Sequence, residues 1–301
     1  MPRLMITHST EYRYRRPVGL SRHRLLVRPQ DSHDLRLHGA TLVVEPTPSA
    51  VIWAHDVFGN SICLLDWPEE LRTDTLRIVS QLRLTHFPSG IGVPSATLDP
   101  TAENFPFSYP ASEIPDVGRL TERQYPDPGG MVDAWARRFV TSEGPVGTLA
   151  MLAAMTQVVQ AEFIYAAREA EGTQMPAETL ALGSGTCRDF ALLMMEAARG
   201  LGFAARFVTG YLYDGTMTVQ QGGGASHAWC AIYLPGAGWV EYDPTNGLVA
   251  GVNLIRVGVS RTPEQALPVG GGFMGDPSDP MGMLVSVDVL PIYDESLAEA
   301  A

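Results

Sequence analysis

Apolar and polar positions alternate with a period of two along the first hundred residues. Glu11-Tyr12-Arg13-Tyr14, Arg24-Leu25-Leu26-Val27-Arg28, Ala40 to Val44 and Val51 to Ala54 read as strands. Thr75 to Thr85 sets Leu76, Ile78, Ser80, Leu82 and Leu84 against Thr75, Arg77, Val79, Gln81 and Arg83. Turn residues separate these runs at Arg16-Pro17, Arg28-Pro29, Glu45-Pro46-Thr47-Pro48 and Gly59-Asn60. An antiparallel sheet packing one face is the expected result. Residues 87–130 are rich in proline, from Pro88 to Pro128, and read as a wandering connection. The period then changes to helical, over Met131 to Val140 and over Val146 to Gln160, where Leu149, Leu152, Met155 and Val159 form one stripe. A third helix is expected over Cys187 to Arg199, with Gly200 at its end. Strands follow at Ala204 to Tyr213, His227 to Leu234 and Trp239 to Asp243. Two further apolar runs, Leu254 to Val259 and Met283 to Leu290, flank the Gly/Pro-rich stretch Val269 to Gly282. Helices followed by strands predict an α+β fold rather than βαβ alternation. The expected organisation is a β-rich domain over residues 1–115, a core over 116–255, and a C-terminal β segment over 256–301 packing on the rest.

Charge and composition narrow the classes of function. The 301 residues carry a formal charge of −12, which disfavours a nucleic-acid or anionic-membrane partner bound through bulk charge. The most apolar segment, Phe190 to Val208, is broken by Glu196, Arg199 and Arg206, so no membrane span is expected. Cys63, Cys187 and Cys230 are too few, and odd in number, for a disulfide framework. The opening MPRLMITHSTEYRYRRP lacks the apolar stretch of a secretory signal, and a cytoplasmic protein is expected. His33 and His38 beside Asp31 and Asp34 read as a polar turn rather than a zinc site, and no metal or cofactor is expected.

The chemistry concentrates in the second half. Thr186 and Asp189 stand three apart before an apolar-periodic run, a capping box with Asp in place of Glu. With Thr186 as N-cap, Cys187 is the first helical residue, where the helix dipole favours a thiolate and the backbone N–H has no intrahelical partner. His227 is the one histidine beyond residue 86, hence the one candidate base in that half. Asp243 ends the next strand and is a candidate to orient the imidazole. Strand parity tests this. His227, Trp229, Ala231 and Tyr233 share a face, and Trp239, Glu241 and Asp243 join it only with an odd-length loop, as with Tyr233 opposite Trp239. Cys230 falls on the opposite face, as a packing residue. Gly222-Gly223-Gly224 reads as a plain flexible loop before the His227 strand.

Four ordered blocks complete the picture: Gly185-Thr186-Cys187-Arg188-Asp189-Phe190-Ala191, Arg206-Phe207-Val208-Thr209-Gly210-Tyr211, His227-Ala228-Trp229 and Trp239-Val240-Glu241-Tyr242-Asp243-Pro244-Thr245. Together they resemble the core of the transglutaminase-like superfamily, which shares the papain-like Cys-His-Asp arrangement. Ile6-Thr7-His8 with Glu11 to Tyr14, and Trp53 with Asp56 and Gly59-Asn60, look like the β-rich N-terminal region of its bacterial members. Ser260-Arg261-Thr262 departs from the Gly-Arg-Asp expected there. The resemblance implies a nucleophilic Cys187, a general acid/base His227 and an orienting Asp243. The Cys187 backbone N–H and Tyr165 are the candidates for the oxyanion hole. The implied fold is an N-terminal antiparallel β domain followed by a papain-like core of helices on an antiparallel sheet. The implied activity is hydrolysis of a peptide or isopeptide amide in a peptide or protein substrate, with acyl transfer to an amine as the alternative. A catalytically idle peptide-binding module on the same fold is the alternative of another class. The Arg-Gly-Gly that precedes the cysteine in arylamine acetyltransferases is replaced by Gly183-Ser184-Gly185.

Overall fold

Alternation in the N-terminal half builds two antiparallel sheets. The computed structural model describes residues 2–87, 97–142, 144–166, 172–213, 224–249, 251 and 253–292. Six strands open the chain: β1 (Arg3–Leu20), β2 (His23–Leu25), β3 (Leu35–Glu45), β4 (Ala50–His55), β5 (Ser61–Asp66) and β6 (Thr73–His86). The even residues Leu76, Ile78, Leu82 and Leu84 of β6 are buried, as the alternation predicts. β1 runs straight through Arg16-Pro17, where the sequence reads a turn, because Pro17 lies in a gap of the β1–β6 ladder between Arg13 and Val18.

The connection holds more order than its prolines imply. It contains β7 (Asn104–Phe105) and α1 (Ile114–Thr121), ahead of α2 (Met131–Arg137), β8 (Val146–Gly147) and α3 (Thr148–Glu162). Pro115 sits in the first turn of α1, where a missing N–H costs nothing. Then come β9 (Ile164–Tyr165), α4 (Pro176–Leu182), β10 (Ser184–Gly185) and α5 (Cys187–Gly200). The core strands are β11 (Ala205–Leu212), β12 (His227–Leu234), β13 (Gly238–Asp243), β14 (Leu248–Val249) and β15 (Leu254–Ser260). Their sheet has the order β14-β13-β12-β11-β15. Helix α5 packs on it, so that Phe190, Leu193, Met194 and Ala197 share a buried cluster with Phe207, Cys230, Ile232 and Tyr242. The molecule is thus an α+β fold with largely antiparallel sheets. No helix among the described residues is long and apolar enough to cross a membrane.

The last segment does not form a layer of its own. β15 belongs to the core sheet through its ladder with β11, so the expected boundary at 255/256 falls inside a strand. β16 (Val269–Gly270) pairs with β2, and β17 (Phe273–Met274) and β18 (Pro280–Pro291) pair with β1. Side chains from the N-terminal motifs clamp the two halves together. Asn60 donates to the Val259 carbonyl at 2.7 Å and accepts from the Val259 N–H at 2.9 Å, completing the outer edge of β15. His8 meets the Tyr211 hydroxyl of β11 at 3.1 Å. At Gly210 of that strand an added Cβ would stand 2.1 Å from the Ile255 carbonyl oxygen and 2.7 Å from the Trp229 ring. The glycine leaves the room that the Trp229 indole fills beside His227.

Candidate active site

A helix start fixes the sulfur. Thr186 is extended (φ −90°, ψ 175°) and caps α5, leaving Cys187 as its first residue. The Asp189 carboxylate accepts from the Thr186 N–H at 2.8 Å and from its hydroxyl at 2.9 Å; its other oxygen accepts from the Gln174 N–H at 2.7 Å. Asp189 is fully buried, so this is the expected capping role with a second task, tying the segment before α4 to the nucleophile's helix. Gln174 itself donates to the Ser184 carbonyl at 3.0 Å. Asp189→Ala strands three donors in the interior and is expected to cost about 2–4 kcal/mol, read as a lower denaturant midpoint in chemical unfolding.

A strand pair fixes the base. Tyr233 pairs with Trp239 and Cys230 with Tyr242, the register that parity requires, so His227 and Asp243 share a face. Nε2 of His227 lies 2.8 Å from Oδ2 of Asp243. The carboxylate is held in turn by the Thr245 N–H at 3.0 Å and the Asn246 amide at 2.8 Å. The Asn246 contact was not foreseen from the sequence; an amide three residues after a strand-ending Asp was the available signal. Trp229 stacks on the imidazole with ring centres 5.9 Å apart. Nδ1 of His227 is buried without a hydrogen-bond partner, and the Cys187 thiol lies near enough to help raise the pKa of this ring. Cys187 is 6% exposed, His227 1% and Asp243 0%, so the three groups sit almost out of water.

Burial and neighbours oppose one another here, and the neighbours win. Burial disfavours the Cys187 thiolate, yet the hydrogen bond and charge of His227, the Ala228 N–H and the Arg188 charge bring the thiol below its ordinary value. Burial also pulls the imidazole down, but the Asp243 charge and hydrogen bond, with the Cys187 sulfur in addition, raise it to about 10. For Asp243 the His227 charge outweighs burial and holds the carboxyl ionised. The other two thiols behave oppositely. Burial alone pushes Cys63 up to about 11, and burial with the Asp243 charge pushes Cys230 higher still. Tyr165 is raised to about 12 by burial and by the nearby Cys187 thiol. Its hydroxyl therefore stays protonated near neutral pH.

The remaining candidates resolve simply. Arg188 donates to the Pro263 carbonyl at 2.7 Å and stacks on Phe207. Cys230 packs under the sheet and points its thiol at the Tyr242 carbonyl. Gly222 and Gly223 lie outside the described residues. Among the described residues no group of three His, Cys, Asp or Glu is placed to hold a metal.

A thiol at a helix start, close to an imidazole held by a buried carboxylate on an α5-over-sheet core, is an arrangement suited to a cysteine-dependent enzyme. Family profiles agree: the bacterial transglutaminase-like N-terminal region matches residues 4–85 and the transglutaminase-like superfamily core matches residues 133–244. The chain belongs to the transglutaminase-like superfamily. An uncharacterized protein of Mycobacterium tuberculosis is 26% identical over 98% of this chain and 95% of its own. One from Mycobacterium leprae is 34% identical over 34% of this chain and 37% of its own. Among solved structures, a Cytophaga hutchinsonii protein described as a "putative cysteine protease" superposes with a TM-score of 0.66 at 17% identity, covering 98% of this chain and 95% of that one. That likeness extends the common fold over both halves of the molecule.

Proposed function

We propose that this protein is a cysteine-dependent amide hydrolase acting on peptide or isopeptide bonds through Cys187, His227 and Asp243. One observation carries the reading: the buried His227 ring is held by the Asp243 carboxylate at 2.8 Å and lies close enough to the thiol at the tip of α5 for each to shift the other's ionisation. In the resting site the proton sits on His227 and the negative charge on Cys187. The thiolate adds to the amide carbonyl, and the oxyanion is met by the Cys187 N–H, free at the first turn of α5, and by the Tyr165 hydroxyl. His227 gives its proton to the departing amine, leaving a thioester and a neutral imidazole. The imidazole takes a proton from water, hydroxide attacks the thioester, and a carboxylic acid leaves as the thiolate–imidazolium pair returns. Asp243, fixed by Asn246 and Thr245, holds the ring throughout. The three unpaired thiols fit a reducing compartment, and the proposed location is the cytoplasm.

The test offers the purified protein glutamine-containing peptides with and without a primary amine, following ammonia, peptide fragments and conjugate mass together. Fragments or deamidated peptide formed without amine support hydrolysis. Product formed only as the amine conjugate replaces hydrolysis by acyl transfer, and no product from a broad peptide library leaves the idle binding module.

A further inference from the structure

A cavity of about 720 Å³ opens between the N-terminal domain and the core sheet. None of Cys187, His227 and Asp243 lines it. Its walls include the apolar side chains of Leu35, Phe58, Trp239, Leu254, Val257 and Val259. The size is that of a pocket for a small organic molecule.

The charges in the wall are spent, with one exception. Arg256 sits between Glu241 at 2.6 Å and Asp34 at 3.1 Å. Asp31 accepts from the Leu37 N–H and lies 3.7 Å from Arg36. Arg206 has no such partner. Its guanidinium lies over the Trp239 ring at 4.1 Å, its Nε is buried without an acceptor, and it makes no ion pair among the described residues. Burial and the nearby charge of Arg256 lower its pKa, to about 10, and the Glu241 charge offsets this only in part, so the cation is held at an energetic cost. A half-buried guanidinium whose Nε lacks an acceptor is stabilised by an anion that reaches it.

We propose that this cavity binds a small monocarboxylate with an apolar body, its carboxylate paired with Arg206. The indole covers one face of the guanidinium, so a ligand meets its N–H edge in the plane, the geometry a carboxylate matches. A dianion is disfavoured: one positive charge is unspent, and Asp31, Asp34 and Glu241 line the same walls. The apolar side chains take the rest of the molecule. Glu241, which tethers Arg256, precedes Asp243 by two residues on the same face of β13, so an occupant rests against the strand that carries the orienting carboxylate.

The experiment is isothermal titration calorimetry on the full chain with hexanoate, phenylacetate and indole-3-acetate. Phenylacetamide and inorganic phosphate are the counterparts. At least one of the three carboxylates is expected to bind saturably, phenylacetamide and phosphate about tenfold more weakly or not at all, and Arg206→Gln is expected to lose about tenfold or more in carboxylate affinity. Thermal unfolding establishes that the variant is folded; if it is not, the contrast between phenylacetate and phenylacetamide on the unaltered protein decides. Absence of binding by all three carboxylates, equal affinity for the amide, tighter binding of phosphate, or undiminished binding by folded Arg206→Gln overturns the proposal. Binding does not require turnover, so the outcome is independent of whether the hydrolase reading holds.

Discussion

Cys187→Ala is expected to lower amide turnover by at least ~10³-fold while the protein stays folded, as shown by an unchanged circular dichroism spectrum. The loss is large because no second thiol can substitute. Cys63 and Cys230 are fully buried and their ionisation is pushed upward, whereas that of Cys187 is brought down. Intact mass spectrometry with a slow ester or amide substrate supplies an independent reading. The unaltered protein gains an acyl adduct on the peptide containing residue 187, and the variant gains none. An adduct on another residue, or turnover retained by the variant, removes Cys187 from the proposed role.

Asp243→Ala should act on the same step through the imidazole. Burial favours neutral His227, and the Asp243 charge is the largest influence opposing it. Without that charge the imidazole pKa falls, the thiolate loses its cationic partner, and the thiol pKa rises. The signs can be followed with iodoacetamide. In the unaltered protein the rate at Cys187 rises with pH through an inflection below the ordinary thiol value and then levels, while Cys63, pushed up to about 11, remains slow near neutrality. In Asp243→Ala the Cys187 inflection moves to higher pH and turnover drops by about 10²–10⁴-fold. Asp243→Asn keeps an acceptor for Nε2 and removes the charge, so its inflection falls between the two. Turnover in the unaltered protein should decline on the alkaline side as His227 loses its proton near pH 10, because an imidazole without that proton cannot assist the departing amine. Stability follows the same group. The raised His227 pKa contributes fully below its unfolded value and is lost as pH rises through about 10.

The placement of the candidate site residues was legible because short-range rules determine it. A Thr-x-x-Asp box names the first residue of a helix, and the period of two decides whether Asp243 faces His227. Both rules operate over a few residues and need no knowledge of distant packing. The helix over Cys187–Gly200 and the strand His227–Leu234 lie where the pattern puts them. What escaped depends on distant partners. Helix α4, seven residues long, has too few turns for a period to show, and α1 lies among prolines whose tolerance at a helix start the pattern does not reveal. The fate of the C-terminal strands also escaped: Leu254 to Val259 and Met283 to Leu290 read alike, yet one completes the core sheet and the other returns to β1. Apolar content makes both strands and cannot select between two open edges. The motif around Asp56 and Asn60, legible only as a likeness, proves to be a joint, with Asn60 bonded to both polar groups of Val259.

The pairing of β18 with β1 has a consequence for biosynthesis. β1 is among the first strands to leave the ribosome, but one of its sides stays unsatisfied until residues 280–291 arrive. Throughout translation of the intervening chain, an emerging sheet presents an open row of amide and carbonyl groups. The thiol-bearing half can condense earlier, because its five strands all lie between residues 205 and 260. A nascent chain of this kind is therefore most vulnerable to intermolecular strand addition when its chemistry is already assembled, and an interrupted message leaves a product with a sticky edge rather than a missing reaction centre.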